Sequence, residues 1–150
     1  MNRSIKVRGI AVLDGKLLCV KLKPYNGLTT EAKPYWCLPG GGVDDCEPLE
    51  EAMRREMVEE LGVEPKIGRL LYVQQFAHKD NDFLEFFFHI ENAQDYLHVD
   101  LGKTTHGAKE IAEIDFIDPK TPSLLPEFLQ TEPLADFVAS NQPAKFFARY

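Results

Sequence analysis

The stretch Gly40 to Val63, GGGVDDCEPLEEAMRREMVEELGV, constrains this chain more than any other. Pro39 and three consecutive glycines make a loop whose backbone can adopt conformations closed to other residues and approach a ligand closely. Asp44 and Asp45 precede Glu47 and Pro48, and acids beside a proline near the first helical position mark a helix start. Leu61-Gly62 closes that helix, with the glycine available for a left-handed cap. At about 100° per residue, Glu56, Glu59 and Glu60 fall within one arc of roughly 100°. Leu49, Ala52, Met53, Met57 and Leu61 occupy an overlapping arc, so the carboxylates border the buried face rather than oppose it.

Most glutamate-rich helices simply carry a solvated acidic face. Here three acids stand beside an apolar stripe without as many cations on the same arc. Like charges three and four residues apart destabilise a helix by tenths of a kcal/mol per pair, and partial burial raises that cost. A divalent cation removes the penalty. Oxygen donors with no His or Cys among them suit Mg²⁺ or Mn²⁺ rather than zinc. Arg55 follows Glu51 by four residues, the favourable orientation for a helical ion pair, and Glu47 lies one step further along that ridge. By spacing, Arg55 is therefore expected to form a structural ion pair.

Gly41, Glu47 and the run Arg55-Glu56-Met57-Val58-Glu59-Glu60-Leu61-Gly62-Val63 fill every fixed position of a known motif. The chain resembles the Nudix hydrolase superfamily, whose box occupies Gly41 to Val63 here. The resemblance implies hydrolysis of a nucleoside diphosphate linked to another group, by water attack at phosphorus. It implies Glu56 and Glu60 as primary Mg²⁺ ligands, with Mn²⁺ as an alternative, Glu59 as a further ligand or the general base, and the Gly40 carbonyl as an extra ligand. Arg55 would hold loop and helix in place. Some relatives use an acid outside the box, for which Glu110 is the candidate, with Glu85 and Glu113 behind it. A nucleotide-binding domain that does not cleave its ligand is the alternative, but such domains commonly lose box acids and this chain has them all.

Length and composition bound the rest. A chain of 150 residues with 44% hydrophobic and 27% charged residues suits one soluble domain with a sizeable core. Three cysteines, Cys19, Cys37 and Cys46, form no close pair, which points to a reducing, cytoplasmic setting rather than a disulfide framework. No targeting segment or membrane span is expected. A net charge of -7 argues against nucleic acid or an anionic membrane as partner. The expected partner is a small nucleotide or other pyrophosphate, with a homodimer left open. Lys21, Lys23 and Lys33 flank the loop leading to the glycines and are the candidate cations for its phosphates.

Along the chain, Ile5 to Leu13 alternates as a strand, and Asp14-Gly15 is a hairpin turn into Lys16 to Lys23. Pro24 to Pro34 reads as a polar loop and Tyr35 to Leu38 as a short strand. Ile67 to Ala77 and Phe83 to Glu91 read as an antiparallel pair about a turn at Asp80-Asn81-Asp82. Asn92 to Lys109 has no sustained period and is long for a connection, the mark of a lid or substrate loop. Glu110 to Asp118 reads as the last strand, Pro133 to Ser140 as a terminal helix, and Lys145 to Tyr150 as an aromatic tail. The order predicts an α/β fold with a mixed sheet between helices. The resemblance makes it a Nudix-type alpha-beta-alpha sandwich with a mixed central sheet, residues 1-150, with C-terminal helix and tail at about 123-150.

Substrate is less constrained. Pro65 abuts the box and Tyr72 reads as a strand residue, so neither residue stands where the family places its markers for ADP-ribose or dinucleoside polyphosphates. Trp36 and Phe76 are candidates to sandwich a base. The frame favours a nucleoside triphosphate or similar small nucleotide, with nucleotide sugars, ADP-ribose and dinucleoside polyphosphates as alternatives.

Overall fold

The structure is a computed structural model and describes residues 2–24 and 33–150. Most of the loop expected at Pro24 to Pro34 lies outside the described residues. The strands are β1 (Asn2–Ile10), β2 (Val12–Leu13), β3 (Lys16–Leu22), β4 (Gly40–Gly42), β5 (Ile67–His78), β6 (Asn81–Ile90), β7 (Ile111–Ile117) and β8 (Lys145–Arg149). The helices are α1 (Leu49–Leu61), the single turn α2 (Gly107–Glu110) and α3 (Leu134–Ala139). A mixed five-stranded sheet runs β4-β1-β6-β5-β8, and β2-β3-β7 form a second, antiparallel sheet. β1 pairs parallel with β6, and β5 parallel with β8, while β4 and β5 run antiparallel to β1 and β6.

Alternation along the strands builds two cores. Val7, Leu18, Val20, Phe88 and Ile90 pack with Ala52, Met53, Met57 and Leu61 of α1. Ile10, Leu17, Cys19 and Phe87 face the other way and pack with Leu129, Leu134 and Phe137 around α3. Successive side chains of a strand point to opposite faces, so one run of apolar residues serves both layers. The mixed α/β sandwich expected from the order of elements is what forms.

Several boundaries differ from the sequence expectation, each for a local reason. The first strand divides at Ala11, where the chain leaves one sheet for the other, and Asp14 and Gly15 make the tight turn with φ of 52° and 76°. Tyr35 to Leu38 is not a ladder strand: Trp36 and Cys37 make one isolated bridge each, to Leu124 and Val20. The β5–β6 turn sits at Lys79-Asp80, with Lys79 at φ 55°, so Asn81 and Asp82 belong to β6. Glu110 ends α2 instead of starting β7, and β7 is not the last strand. The aromatic tail instead forms β8, whose short alternation against β5 brings Phe147 onto the α3 core and leaves Phe146 exposed.

The segment expected as a lid, Asn92 to Lys109, is folded down. It forms 3₁₀ turns at Ala93–Tyr96 and Leu101–Lys103, then α2, with Ala93 and Tyr96 buried in the α1 core. Tyr96 donates its hydroxyl to the Val63 carbonyl at 2.9 Å, which satisfies the polar end of a buried ring.

One glycine sets the junction of β4 with β1. Gly40 has φ +145°, and a Cβ there would lie 2.0 Å from the Val7 carbonyl oxygen. Gly40→Ala is expected to lower stability by about 3 kcal/mol or more, combining backbone strain with a backbone clash. Denaturant unfolding of the two proteins measures it.

Candidate active site

α1 begins after Pro48 and ends at Gly62, whose φ of 74° makes the left-handed cap and whose N–H donates to the Val58 carbonyl at 2.9 Å. Buried Ala52, Met53, Met57 and Leu61 fix its rotation, and this turns Glu56 and Glu60 toward β4, while Glu59 lies against Arg55. Gly40 donates its N–H to Glu60 Oε2 at 3.1 Å. Gly41 lies against Glu56: a Cβ there would sit 2.6 Å from the carboxyl carbon. The glycine strand is thus the bare surface on which two of the three carboxylates rest.

Arg55 ties this arrangement together. Nε and Nη2 donate to the two oxygens of Glu47 at 2.8 and 2.9 Å, a bidentate pair. Nη1 reaches Glu56 Oε1 at 3.0 Å and Glu59 Oε2 at 3.2 Å, and Nη2 also donates to the Gly42 carbonyl at 2.9 Å. Glu51, expected as a partner by its spacing, makes no ion pair with Arg55 among the described residues; Glu47 takes the fork geometry instead. The Arg55 hydrogen bonds, then the Asp44 N–H, hold the Glu47 carboxyl down at about 2.

The acids behind Arg55 are pushed the other way. Glu60 is 5% exposed, and burial followed by the charge of Glu56 pushes its carboxyl up to about 8, against the Gly40 hydrogen bond. Burial likewise raises Glu56, with Arg55 opposing and Glu59 and Glu110 reinforcing. Glu110 is exposed yet acts on both groups, so the structure brings it into the electrostatic reach of the helix acids. Among the described residues no three His, Cys, Asp or Glu side chains converge closely enough to hold a metal ion as they stand. Arg55 occupies oxygens of Glu56 and Glu59.

These shifts have opposite consequences for stability. Glu60 binds its proton more tightly folded than unfolded, so its contribution is full below the ordinary value of 4.5 and is lost as pH rises toward about 8. The Glu47 contribution is present above 4.5 and is lost as pH falls toward about 2. With a chelator present, the melting temperature is expected to fall between about pH 5 and pH 8, a slope that Glu60→Gln reduces to the part contributed by Glu56. A calorimetric pH series with both proteins checks this.

Beside β4 a cavity of about 760 Å³ opens on the α3 face of the larger sheet. Its floor is a row across neighbouring strands: Gln74 pairs with Glu85, and Glu85 with Lys6, both acceptor residues being buried. Arg8 Nη2 lies 3.8 Å from Glu85 Oε1, and Arg149 and Lys33 add further positive charge to the lining. Phe76 and Phe83 stack on each other in the wall, with centroids 4.8 Å apart. Lys6 and Arg8 pair across to Gly42 and Gly40, so β1 carries two of the cavity's cations beside the glycine strand, although none of Glu56, Glu59 and Glu60 lines the cavity itself.

Of the expected substrate residues, Phe76 and Lys33 line this cavity and three others do not. Trp36 packs on the edge of the α3 core beneath Lys21, whose Nζ lies 4.8 Å from its ring centroid. Lys23 spends its ammonium on the Ala108 carbonyl at 2.7 Å. Lys6, Arg8 and Arg149 were the cations missed. Alternation in β1 placed Lys6 and Arg8 on one face, opposite Val7, but which face carries the cavity depends on pairing with β6.

An arginine-braced group of helix acids under a glycine strand thus lies beside the strand that supplies Lys6 and Arg8 to a cation-lined cavity. The profile of the NUDIX domain matches residues 3–135, and the chain belongs to that family. The ADP-ribose pyrophosphatase of Methanocaldococcus jannaschii is 37% identical over 82 residues, which cover 53% of this chain and 44% of that protein. The RNA pyrophosphohydrolase of Haemophilus influenzae (strain PittEE) is 52% identical over 40 residues, 27% of this chain and 20% of that protein. These matches span less than half the length of either relative. Among solved structures, the MutT protein of Methanosarcina mazei Go1 superposes with a TM-score of 0.68 over 95% of this chain and 97% of that one, at 22% identity. Likeness at that identity speaks for the fold. No helix among the described residues is long and apolar enough to cross a membrane.

Proposed function

We propose that the chain hydrolyses the phosphoanhydride of a small nucleotide, a nucleoside triphosphate or similar compound, to the monophosphate and pyrophosphate. The observation that carries this is the Glu56, Glu59 and Glu60 group braced by Arg55 under β4, next to the strand whose Lys6 and Arg8 line the cationic cavity. In a chain of net charge -7, Lys6, Arg8, Lys33 and Arg149 against Glu85 make that cavity locally positive, as a polyphosphate requires.

Every donor in the acid group is an oxygen, and its two most buried members are raised by burial and like charge, so the group fits Mg²⁺ or Mn²⁺. Glu56 and Glu60 would hold it, with Glu59 and the Gly40 carbonyl as further donors. When bound it polarises phosphoryl oxygens and acidifies water. The rest falls to the chain. Glu59, the most exposed of the three acids, accepts the proton of the attacking water, and Glu110 is the alternative acceptor. Arg55 keeps Glu56 and Glu59 in register without touching phosphorus. Lys6, Arg8 and Arg149 hold phosphate oxygens, and Phe76 with Phe83 offers a face for the base. The oxygen of water becomes bonded to phosphorus, and the bridging anhydride bond breaks toward pyrophosphate.

The M. jannaschii relative makes ADP-ribose the competing substrate. Equal concentrations of nucleoside triphosphates, ADP-ribose and a dinucleoside tetraphosphate, followed at initial rate by product identity, separate these cases. Nucleoside triphosphates are expected to lead. A tenfold advantage in kcat/KM for ADP-ribose or the dinucleotide, about 1.4 kcal/mol of transition-state preference, overturns the assignment.

A further inference from the structure

The floor of the cation-lined cavity holds two groups that a polyphosphate does not explain. Gln74 and Glu85 stand opposite each other in the β5–β6 ladder, only 3% and 6% exposed, and both line the cavity. Among the described residues, buried Gln74 Oε1 has no hydrogen-bond partner. An unpaired buried acceptor costs stability, and proteins rarely leave one so. Arg8 Nη2 lies 3.8 Å from Glu85 Oε1, an ion-pair distance longer than a hydrogen bond. A carboxylate only accepts, and set among phosphates it would repel them.

Strand register puts this acceptor pair beside an aromatic one. Two residues along β5, Phe76 opposes Phe83 on the same face, and the two rings stack with centroids 4.8 Å apart. Directly opposed residues on one face of a sheet have Cβ atoms about 5 Å apart, so the Gln74 amide and the Glu85 carboxylate meet the cavity side by side. Two adjacent acceptors suit two adjacent donors. On its Watson–Crick edge guanine presents N1–H next to the N2 amino group. Adenine sets the N1 lone pair beside its amino group, cytosine does the same with N3, and uracil flanks N3–H with two carbonyls. Each of these would turn a lone pair toward an acceptor.

We infer that Gln74 and Glu85 read the base of the substrate and select guanine, the amide oxygen and the carboxylate accepting the N1 and N2 hydrogens. This rests on the nucleotide hydrolase function proposed above and makes its substrate a guanine nucleotide. Glu85, a reserve candidate for the proton acceptor by sequence, serves instead as a specificity residue.

Binding of nucleoside monophosphates to the full chain, measured by calorimetry with chelator present, tests this without turnover. GMP is expected to bind about tenfold or more tighter than AMP, CMP or IMP, the last of which keeps N1–H but lacks the N2 amino group. This series needs no substitution, so it decides even where a variant disturbs the fold. Glu85→Gln turns one acceptor into a donor and should bring AMP to within about threefold of GMP. Gln74→Met keeps the length of the side chain and removes the amide, so the preference for GMP over IMP should shrink. GMP no tighter than AMP, IMP equal to GMP, or selectivity unchanged in both variants overturns the inference. So does a preference for GMP over dGMP with the bases undistinguished, which would give the acceptors to ribose hydroxyls. A chain that binds GMP selectively yet cleaves no phosphoanhydride loses the hydrolase function alone. One that cleaves nucleoside triphosphates with equal kcat/KM whatever the base loses this inference alone.

Discussion

Glu60→Gln is expected to lower turnover by at least about a hundredfold, some 2.7 kcal/mol of transition-state stabilisation, while leaving the fold intact. The substitution keeps the volume of the side chain and an oxygen to accept the Gly40 N–H, now 3.1 Å from Oε2. What it removes is a charge that burial and Glu56 already disfavour. The chelated variant should therefore melt no lower than wild type at neutral pH, even as its activity collapses. That opposition is informative: loss of activity through unfolding would move both in the same direction. Glu59→Gln is expected to lose activity on a similar scale, through proton acceptance rather than burial. Near-normal rates in both variants would place the reactive carboxylates elsewhere.

The second large effect is thermodynamic linkage. Three glutamates on one edge of α1, two with raised carboxyls, should repel less once a divalent cation is bound, and the unfolded chain cannot reproduce the arrangement. Mg²⁺ at a hundred times its dissociation constant should stabilise the folded state by about 2.7 kcal/mol. In a chain of 150 residues this corresponds to a rise of roughly 5 to 10 °C in melting temperature. Matched NaCl should do much less, because screening acts weakly on partly buried charges. Glu60→Gln should reduce the Mg²⁺ response sharply. Superimposable melting curves in Mg²⁺ and in chelator would contradict the assignment of these acids as ligands.

How far the sequence revealed this site follows from how local each feature is. The α1 acids, the glycine strand and the Arg55–Glu47 pair lie within one short stretch, and helical periodicity alone brings the acids to one edge. The cavity is different. Lys6 and Arg8 come from β1, Gln74 and Phe76 from β5, Glu85 from β6 and Arg149 from β8. They meet only because β1 runs parallel to β6 and β8 parallel to β5, pairings made across long connections whose register no short pattern specifies. Proximity in sequence to the glycine loop favoured Lys21 and Lys23, but Lys21 lies over the Trp36 ring and Lys23 anchors α2.

The most direct measurement is ³¹P NMR of a nucleoside triphosphate mixed with the purified chain, first with chelator and then with excess Mg²⁺. Metal-dependent hydrolysis at this site predicts an unchanged spectrum with chelator, then conversion to nucleoside monophosphate and pyrophosphate once Mg²⁺ is in excess, abolished in Glu60→Gln. Intact triphosphate in the presence of Mg²⁺, or cleavage that proceeds equally with chelator, would contradict it.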